Sequence, residues 1–78
     1  MIKNEVGAEI RRLRRANAFT LEALAHQADM GLTYLKELEA GEKQPTVTTL
    51  FKLAEALGVT PDRLIMPAYE KWLKQKQP

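Results

Sequence analysis

The sequence contains no cysteine and a single histidine, His26. A disulfide framework or a cysteine-ligated zinc site therefore cannot stabilise this chain, and the lack of cysteine is compatible with a reducing, intracellular location. No pair of carboxylates marks an evident cleft, and no glycine-rich loop of the phosphate-binding kind is present. We therefore expect no enzymatic activity, no metal or other cofactor, and no small-molecule substrate.

Long hydrophobic runs are also missing. No segment approaches the roughly 18 consecutive apolar residues that a membrane-spanning helix needs. The N-terminus lacks the basic region and the apolar region of a signal peptide. These absences predict a cytoplasmic protein that does not contact membranes.

Aromatic residues make up only 6% of the 78-residue chain, whereas Leu, Ala, Ile and Val supply most of the 45% that is hydrophobic. A chain of this length forms one domain, because it cannot divide its apolar surface between two cores. The composition favours a folded domain that is rich in helices.

The excess of positive charge is small, because the formal net charge is only +2. Its distribution is more informative than its size. Arg11, Arg12, Arg14 and Arg15 are crowded into one short stretch, whereas the acidic residues are scattered. We expect a local positive potential there, although an arginine-rich helix is also typical of a solvated face.

Apolar residues recur at helical spacing in five segments, so the predicted fold is all-α. Asp29, Met30 and Gly31 form a tight break between the second helix and the third, and Leu35 and Leu38 of the third helix are predicted to face inward. The predicted helices are residues 5–17, residues 21–28, residues 32–40, a fourth that follows the N-cap Thr46 and ends before Gly58, and a fifth that begins at Thr60 and Pro61.

The fifth helix is expected to carry Leu64 and Ile65 inward and to be interrupted by Pro67. Beyond that proline, apolar residues again share one side of a last, short helix. The predicted organisation is a domain of residues 1–66 followed by an extension of residues 67–78.

The second and third helices, joined by a three-residue turn, form a helix-turn-helix unit, whose second helix can lie in the roughly 12 Å wide major groove of B-DNA. Ala25 and Ala28 provide small residues where these helices cross. The order and spacing of five segments resemble those of the phage repressor and Cro family, also called XRE-like. The segments are Ile10-Arg-Arg-Leu-Arg14, Thr20-Leu-Glu-Ala-Leu-Ala25, Thr33-Tyr-Leu-Lys-Glu-Leu-Glu-Ala-Gly41, Pro45-Thr46 and Leu50-Phe-Lys-Leu-Ala-Glu-Ala-Leu-Gly58.

This resemblance implies a five-helix, lambda-repressor-like DNA-binding domain, from which the sequence departs at the start of the second and third helices. The family usually has a phosphate-binding Gln just after the cap of the second helix, where this chain has Leu21. It commonly has Gly in the turn and Ser at the cap of the third helix, where this chain has Asp29 and Gly31. These residues keep the turn chemistry but remove a hydroxyl.

The resemblance also implies that the third helix meets DNA bases with its outward face. Lys36 can donate to guanine, and Glu37 can accept from cytosine N4. Leu32 or the methyl group of Thr33 can pack on a thymine methyl. The alternative is an ordinary solvated helix face.

Further residues are placed to hold the sugar-phosphate backbone, because helix N-termini and their caps favour anions. Tyr34 has two interpretations, a hydroxyl that reaches a phosphate or a half-buried surface ring. Lys43 is also compatible with an ordinary loop lysine. The predicted backbone contacts are Thr20, Leu21, Tyr34, Lys43, Gln44 and Thr46.

Arg14 and Glu39 match a pair that links the first helix to the third in relatives of the family. We expect this pair to brace the third helix, with a contact from Arg14 to phosphate as a possible second role. Its importance depends on burial, because breaking a buried pair costs about 3–5 kcal/mol, whereas an exposed pair is worth about 0–1 kcal/mol.

The predicted function is a repressor or controller protein that binds a palindromic operator as a homodimer, because one small module has little interface for tight binding. The alternative is an antitoxin or another protein-interaction module in which the extension grips a partner protein. The predicted dimerisation residues are Leu64, Ile65, Tyr69, Trp72 and Leu73.

Overall fold

The computed structural model describes residues 4–76, and this range contains five α-helices and no strand. The helices are α1 (Glu5–Ala16), α2 (Leu21–Gln27), α3 (Leu32–Glu39), α4 (Val47–Leu57) and α5 (Asp62–Lys76). The predicted all-α architecture is confirmed, and α1, α2 and α3 end within one residue of their predicted ends. None of these helices is both long and apolar enough to cross a membrane. The first three residues of the predicted domain and the last two of the predicted extension lie outside the described range.

One hydrophobic core joins the five helices, and each helix contributes at least one fully buried side chain. Burial of a Leu or Ile side chain is worth about 1.5–3 kcal/mol, so these residues are the main source of stability. Ala25 and Ala28 are buried as well, which lets α2 pack closely on α3. The largest fully buried side chains are Ile10, Leu24, Leu35, Leu38, Leu53 and Leu64.

The first four helices end with the same hydrogen-bonded turn. At the end of α1, the Phe19 amide donates to the Arg14 carbonyl at 3.0 Å and the Ala18 amide donates to the Arg15 carbonyl at 3.0 Å. Equivalent pairs of bonds close α2, α3 and α4, so each helix stops at a defined residue. In each of these turns, one residue has a left-handed backbone conformation. It is Ala18 after α1, Asp29 after α2, Gly41 after α3 and Gly58 after α4, with φ of 58°, 53°, 76° and 69° respectively.

Two threonines begin helices. The hydroxyl of Thr20 accepts from the Ala23 amide at 3.0 Å, and that of Thr46 accepts from the Thr49 amide at 3.1 Å. Both residues are therefore N-caps, which is the role that the sequence predicts for them. Gly31 begins α3 without a side-chain cap.

Pro67 lies inside α5 and does not interrupt it, so the predicted break is wrong. An interior proline removes one backbone donor and costs about 3 kcal/mol. The side chains of Leu64 and Ala68, on either side of this proline, are buried in the core, and their burial offsets the cost. The helix consequently runs without a break across the predicted boundary between residues 66 and 67.

Gly7 sets the distance between α1 and α3. A Cβ atom on this residue would collide with the carbonyl oxygen of Leu38 and press on that of Glu39. The obstacle is backbone at the end of α3, which cannot move aside as a flexible side chain can. The glycine therefore allows the two helices to approach more closely than any other residue would.

Replacement of Gly7 by alanine should destabilise the protein by about 1–3 kcal/mol, because overpacking forces the backbone to shift. Gly31→Ala is the matched control, since its Cβ would meet nothing within 4 Å. Its φ of −71° also suits alanine, so we expect a change below about 1 kcal/mol. Urea denaturation measures both. Equal stability of Gly7→Ala and the wild type would show that the close approach does not constrain the packing.

Candidate nucleic-acid interface

The face of α3 opposite the core is available to a partner. Thr33 and Lys36 are exposed on it, and Leu32 and Glu37 are half-buried at its borders. The structure thus brings the four residues predicted to meet DNA bases to one side of a short helix. Thr33 and Lys36 are the most accessible of the four.

Glu37 is not an isolated anion. Its carboxylate lies 3.5 Å from the ammonium group of Lys43, in the loop that follows α3. The same ammonium group lies 5.9 Å from the centre of the Tyr34 ring. Lys43 therefore partly balances the negative charge that Glu37 presents, and it remains exposed enough to contact a second anion.

Tyr34 packs as a half-buried ring between α3 and the start of α4. Its hydroxyl lies 3.3 Å from the hydroxyl of Thr49, which in turn lies 3.0 Å from the hydroxyl of the N-cap Thr46. This arrangement favours the packing interpretation of Tyr34, because its hydroxyl already has a partner. It also fixes the start of α4 beside α3.

The other predicted backbone residues differ in exposure. Thr20 and Gln44 are exposed, whereas the side chain of Leu21 is half-buried and packs against the core. Leu21 can thus offer DNA only its backbone amide.

Arg14 and Glu39 form a buried, bidentate ion pair between α1 and α3. The guanidinium donates to the two carboxylate oxygens at 2.7 Å and 3.1 Å, and a third bond joins it to the Phe19 carbonyl at 2.9 Å. The hydrogen bonding of Arg14 to the Glu39 carboxylate raises the pKa of Arg14 above its ordinary value. Arg14 therefore stays charged, and its bonds to Glu39 clamp α3 to α1.

Arg12 is paired on the opposite side of α1. Its guanidinium donates to the Glu9 carboxylate at 2.9 Å and 2.6 Å, and this hydrogen bonding holds the pKa of Glu9 below its ordinary value. This pair was not predicted from the sequence, although the spacing of three residues within a helix is a signal for it. Two of the four clustered arginines are thus neutralised within the protein.

Arg11 lies in a groove that the sequence analysis did not anticipate. The groove runs between α1, the start of α2 and the exposed side of α3. The spacing of Arg11 is a signal that could have located it, because Arg11 lies three residues before Arg14 on one face of α1, and Arg14 was predicted to meet Glu39 of α3. The lining residues are Arg11, Arg14, Leu21, Lys36, Glu39 and Ala40.

An apolar surface covers one side of α5, and we call it the α5 stripe: Ile65, Tyr69, Trp72 and Leu73. Ile65 is 40% exposed, so the prediction that it faces inward is wrong. The rings of Tyr69 and Trp72 are stacked with centroids 6.3 Å apart. With Val6 of α1, three stripe residues border a shallow apolar groove.

Leu64 cannot belong to a dimer surface, because its side chain is fully buried in the core of its own chain. This corrects the prediction that grouped it with the stripe. Along α5, a shift of one residue rotates the side chain by about 100°, which takes Leu64 into the core and Ile65 to the surface.

The described part of the chain, residues 4–76, holds no group of three or more His, Cys, Asp or Glu side chains that could bind a metal. His26 is exposed on α2.

Similarity to known proteins agrees with this geometry. The HTH-type transcriptional regulator y4dJ of Sinorhizobium fredii is 42% identical over 65 residues, which cover 83% of this chain and 84% of the relative. The crystal structure of the restriction-modification controller protein C.AhdI from Aeromonas hydrophila superposes with a TM-score of 0.77 at 29% identity, over 80% of this chain and 94% of that one. The crystal structure of the clp gene regulator ClgR from Corynebacterium glutamicum superposes with a TM-score of 0.83 at 28% identity, over 96% of this chain and 80% of that one.

Two short helices at a tight turn, with the second helix outward-facing, define the helix-turn-helix class of protein. Residues 10–64 match the family described as Helix-turn-helix, and the chain belongs to that family.

Loss of one partner of the Arg14–Glu39 pair should destabilise the protein by about 3–5 kcal/mol, because it leaves a buried charge without a counter-charge. We expect this for Arg14→Met and for Glu39→Leu, and a loss smaller than the sum for the double variant. Lys71→Met is the control, since it removes an ion pair to Glu5 in which the lysine is 54% exposed. That change should cost at most about 1 kcal/mol. Equal losses for Arg14→Met and Lys71→Met in urea denaturation would contradict the bracing role.

Proposed function

We propose that this chain binds double-stranded DNA sequence-specifically as a homodimer, with α3 in the major groove, and regulates transcription from a palindromic operator. The observation that carries the proposal is the outward face of α3, held at a fixed angle by the Arg14–Glu39 pair. The regulator is of the repressor or controller type, acts in the cytoplasm and has no catalytic activity of its own.

The outward face of α3 has the mixture of groups that base recognition needs. Lys36 donates hydrogen bonds, Glu37 accepts them, and Thr33 offers a methyl group and a hydroxyl. An α-helix fits the major groove, where each base pair presents a distinct pattern of donors, acceptors and methyl groups. The face is short, which suits the reading of a few adjacent base pairs by each protomer.

The start of α4 supports a contact with the DNA backbone. Thr46 caps this 11-residue helix, whose N-terminal amides and dipole favour a phosphate. The hydrogen-bonded hydroxyls of Tyr34 and Thr49 fix this helix end beside α3, and the exposed Lys43 lies in the connecting loop. A phosphate held there would position α3 in the groove without reading sequence.

The α5 stripe supports the homodimer. Exposed large apolar residues that adjoin an apolar groove are typical of interaction surfaces. A second copy of the chain would cover them and would double the DNA interface, since single small modules bury only about 600–1,000 Å² against DNA. Two-fold symmetry would place two copies of α3 about 34 Å apart, one turn of the duplex.

The named relatives support the regulatory part of the proposal. One is called an HTH-type transcriptional regulator and another a restriction-modification controller protein.

Substitutions on α3 should weaken binding to the preferred operator, identified by selection from a random duplex pool. Thr33→Ala, Lys36→Ala and Glu37→Ala should each cost about 1–3 kcal/mol and relax the choice of base at one or two positions. Glu37→Ala should also strengthen binding to a scrambled duplex, because it removes a negative charge near phosphate. Titrations on both duplexes separate these effects.

Glu55→Ala is the matched control for Glu37→Ala, because it removes the same charge from an exposed position on α4. It should leave the preference for operator over scrambled duplex unchanged. If all three α3 variants altered binding to both duplexes equally, α3 would not be the element that reads the sequence.

Substitution in the α5 stripe should weaken the dimer. Trp72→Ser should raise the dimer dissociation constant at least about tenfold, because an isologous interface loses the side chain twice and each loss is worth roughly 1.5–3 kcal/mol. Phe51→Ser is the control, since Phe51 is 58% exposed on α4 outside the stripe. Sedimentation equilibrium measures both variants. A monomeric wild type at high concentration would contradict the homodimer and favour a partner protein.

A further inference from the structure

Arg11 and Lys36 are two cations that line one groove without a counter-charge of their own. The carboxylate of Glu39 lies in the same groove, but the guanidinium of Arg14 occupies both of its oxygens. Within residues 4–76, neither Arg11 nor Lys36 makes a side-chain hydrogen bond or ion pair. The groove therefore carries a net positive charge that the folded protein leaves unbalanced.

This groove borders the base-contacting face of α3 and shares Lys36 with it. Arg11 comes from α1, which borders α3 from the side, and Leu21 closes the groove at the start of α2. With α3 in the major groove, the anions beside the helix are the phosphates that line that groove. Leu21 has no polar side-chain atom to offer them, whereas Arg11 offers them a charged side-chain donor from α1.

The chemistry of Arg11 suits a phosphate. A guanidinium presents parallel N–H donors that match two phosphate oxygens, and it stays charged at any physiological pH. Because Arg11 is exposed and unpaired, the contact would not break an existing interaction. Arg14 lacks this freedom, since each of its three guanidinium nitrogens already donates a hydrogen bond to Glu39 or Phe19.

We propose that Arg11 binds a DNA phosphate at the flank of the major groove occupied by α3, where it adds a backbone contact from α1. This inference rests on the proposed DNA-binding function. It also removes the phosphate role from Arg14, which remains a brace.

The test compares Arg11→Gln with Arg15→Gln in the full chain. Arg15 lies one helical turn further along α1 and is also charged and exposed. It lines a second groove, which includes Arg11 and Glu39 but does not reach Lys36 or Leu21. The measurement is the affinity for the selected operator and for scrambled duplex across a range of salt concentrations. Melting temperatures verify that both variants fold.

Arg11→Gln should lower the affinity about tenfold on both duplexes. It should also reduce the slope of log affinity against log salt by roughly 0.9, the value for one phosphate contact. Arg11→Lys should keep the slope and recover part of the affinity, because it restores the charge without the second donor. Arg15→Gln should retain the wild-type slope.

An unchanged slope for Arg11→Gln, with a wild type that binds the operator, would overturn the assignment of Arg11 alone. Equal losses for Arg11→Gln and Arg15→Gln would also overturn it, because they would indicate a diffuse charge effect. A wild type that binds neither duplex at low salt would overturn the proposed function as well.

Discussion

Arg14 reaches from α1 to α3, where its guanidinium meets Glu39 in two short hydrogen bonds. Removing both charges from water is costly, and the two bonds of the pair, together with a third from Arg14 to the Phe19 carbonyl, offset that cost. Such a pair contributes orientation more than stability. Any rotation of α3 would break bonds that solvent cannot replace, so the outward face of α3 has one direction relative to the core.

Local signals in the sequence predicted most of the fold. Helical spacing of apolar residues located the first four helices, and the caps Thr20 and Thr46 marked two of their beginnings. These signals succeed because they depend on neighbours within four residues along the chain. The predicted break at Pro67 was wrong because the cost of a proline within a helix is local, whereas the burial that offsets it comes from the packing of α5 against α1 and α4. Those helices are distant along the chain.

The candidate site was less predictable, because exposure and charge balance depend on residues that are distant along the chain. The pattern on α3 identified the side that faces outward, but it did not show that Lys43 would pair with Glu37 or that Thr49 would engage Tyr34. The groove beside Arg11 is formed by three separate helices, and the sequence predicted only one contact within it, that between Arg14 and Glu39. Periodicity also could not decide between Leu64 and Ile65, since both are apolar and adjacent.

The exposed stripe on α5 adjoins Val6 at the beginning of α1, and α1 is also the helix that carries Gly7 and Arg14 against α3. In the proposed dimer, α1 therefore connects the dimer contact to α3 through packed side chains. No flexible linker separates the two. The two half-sites on DNA must then match one distance and one rotation, and a single inserted base pair would turn one of them by about 35°. In the proposed dimer, the packing of α1 would set the spacing of the operator, whereas α3 would read its base sequence.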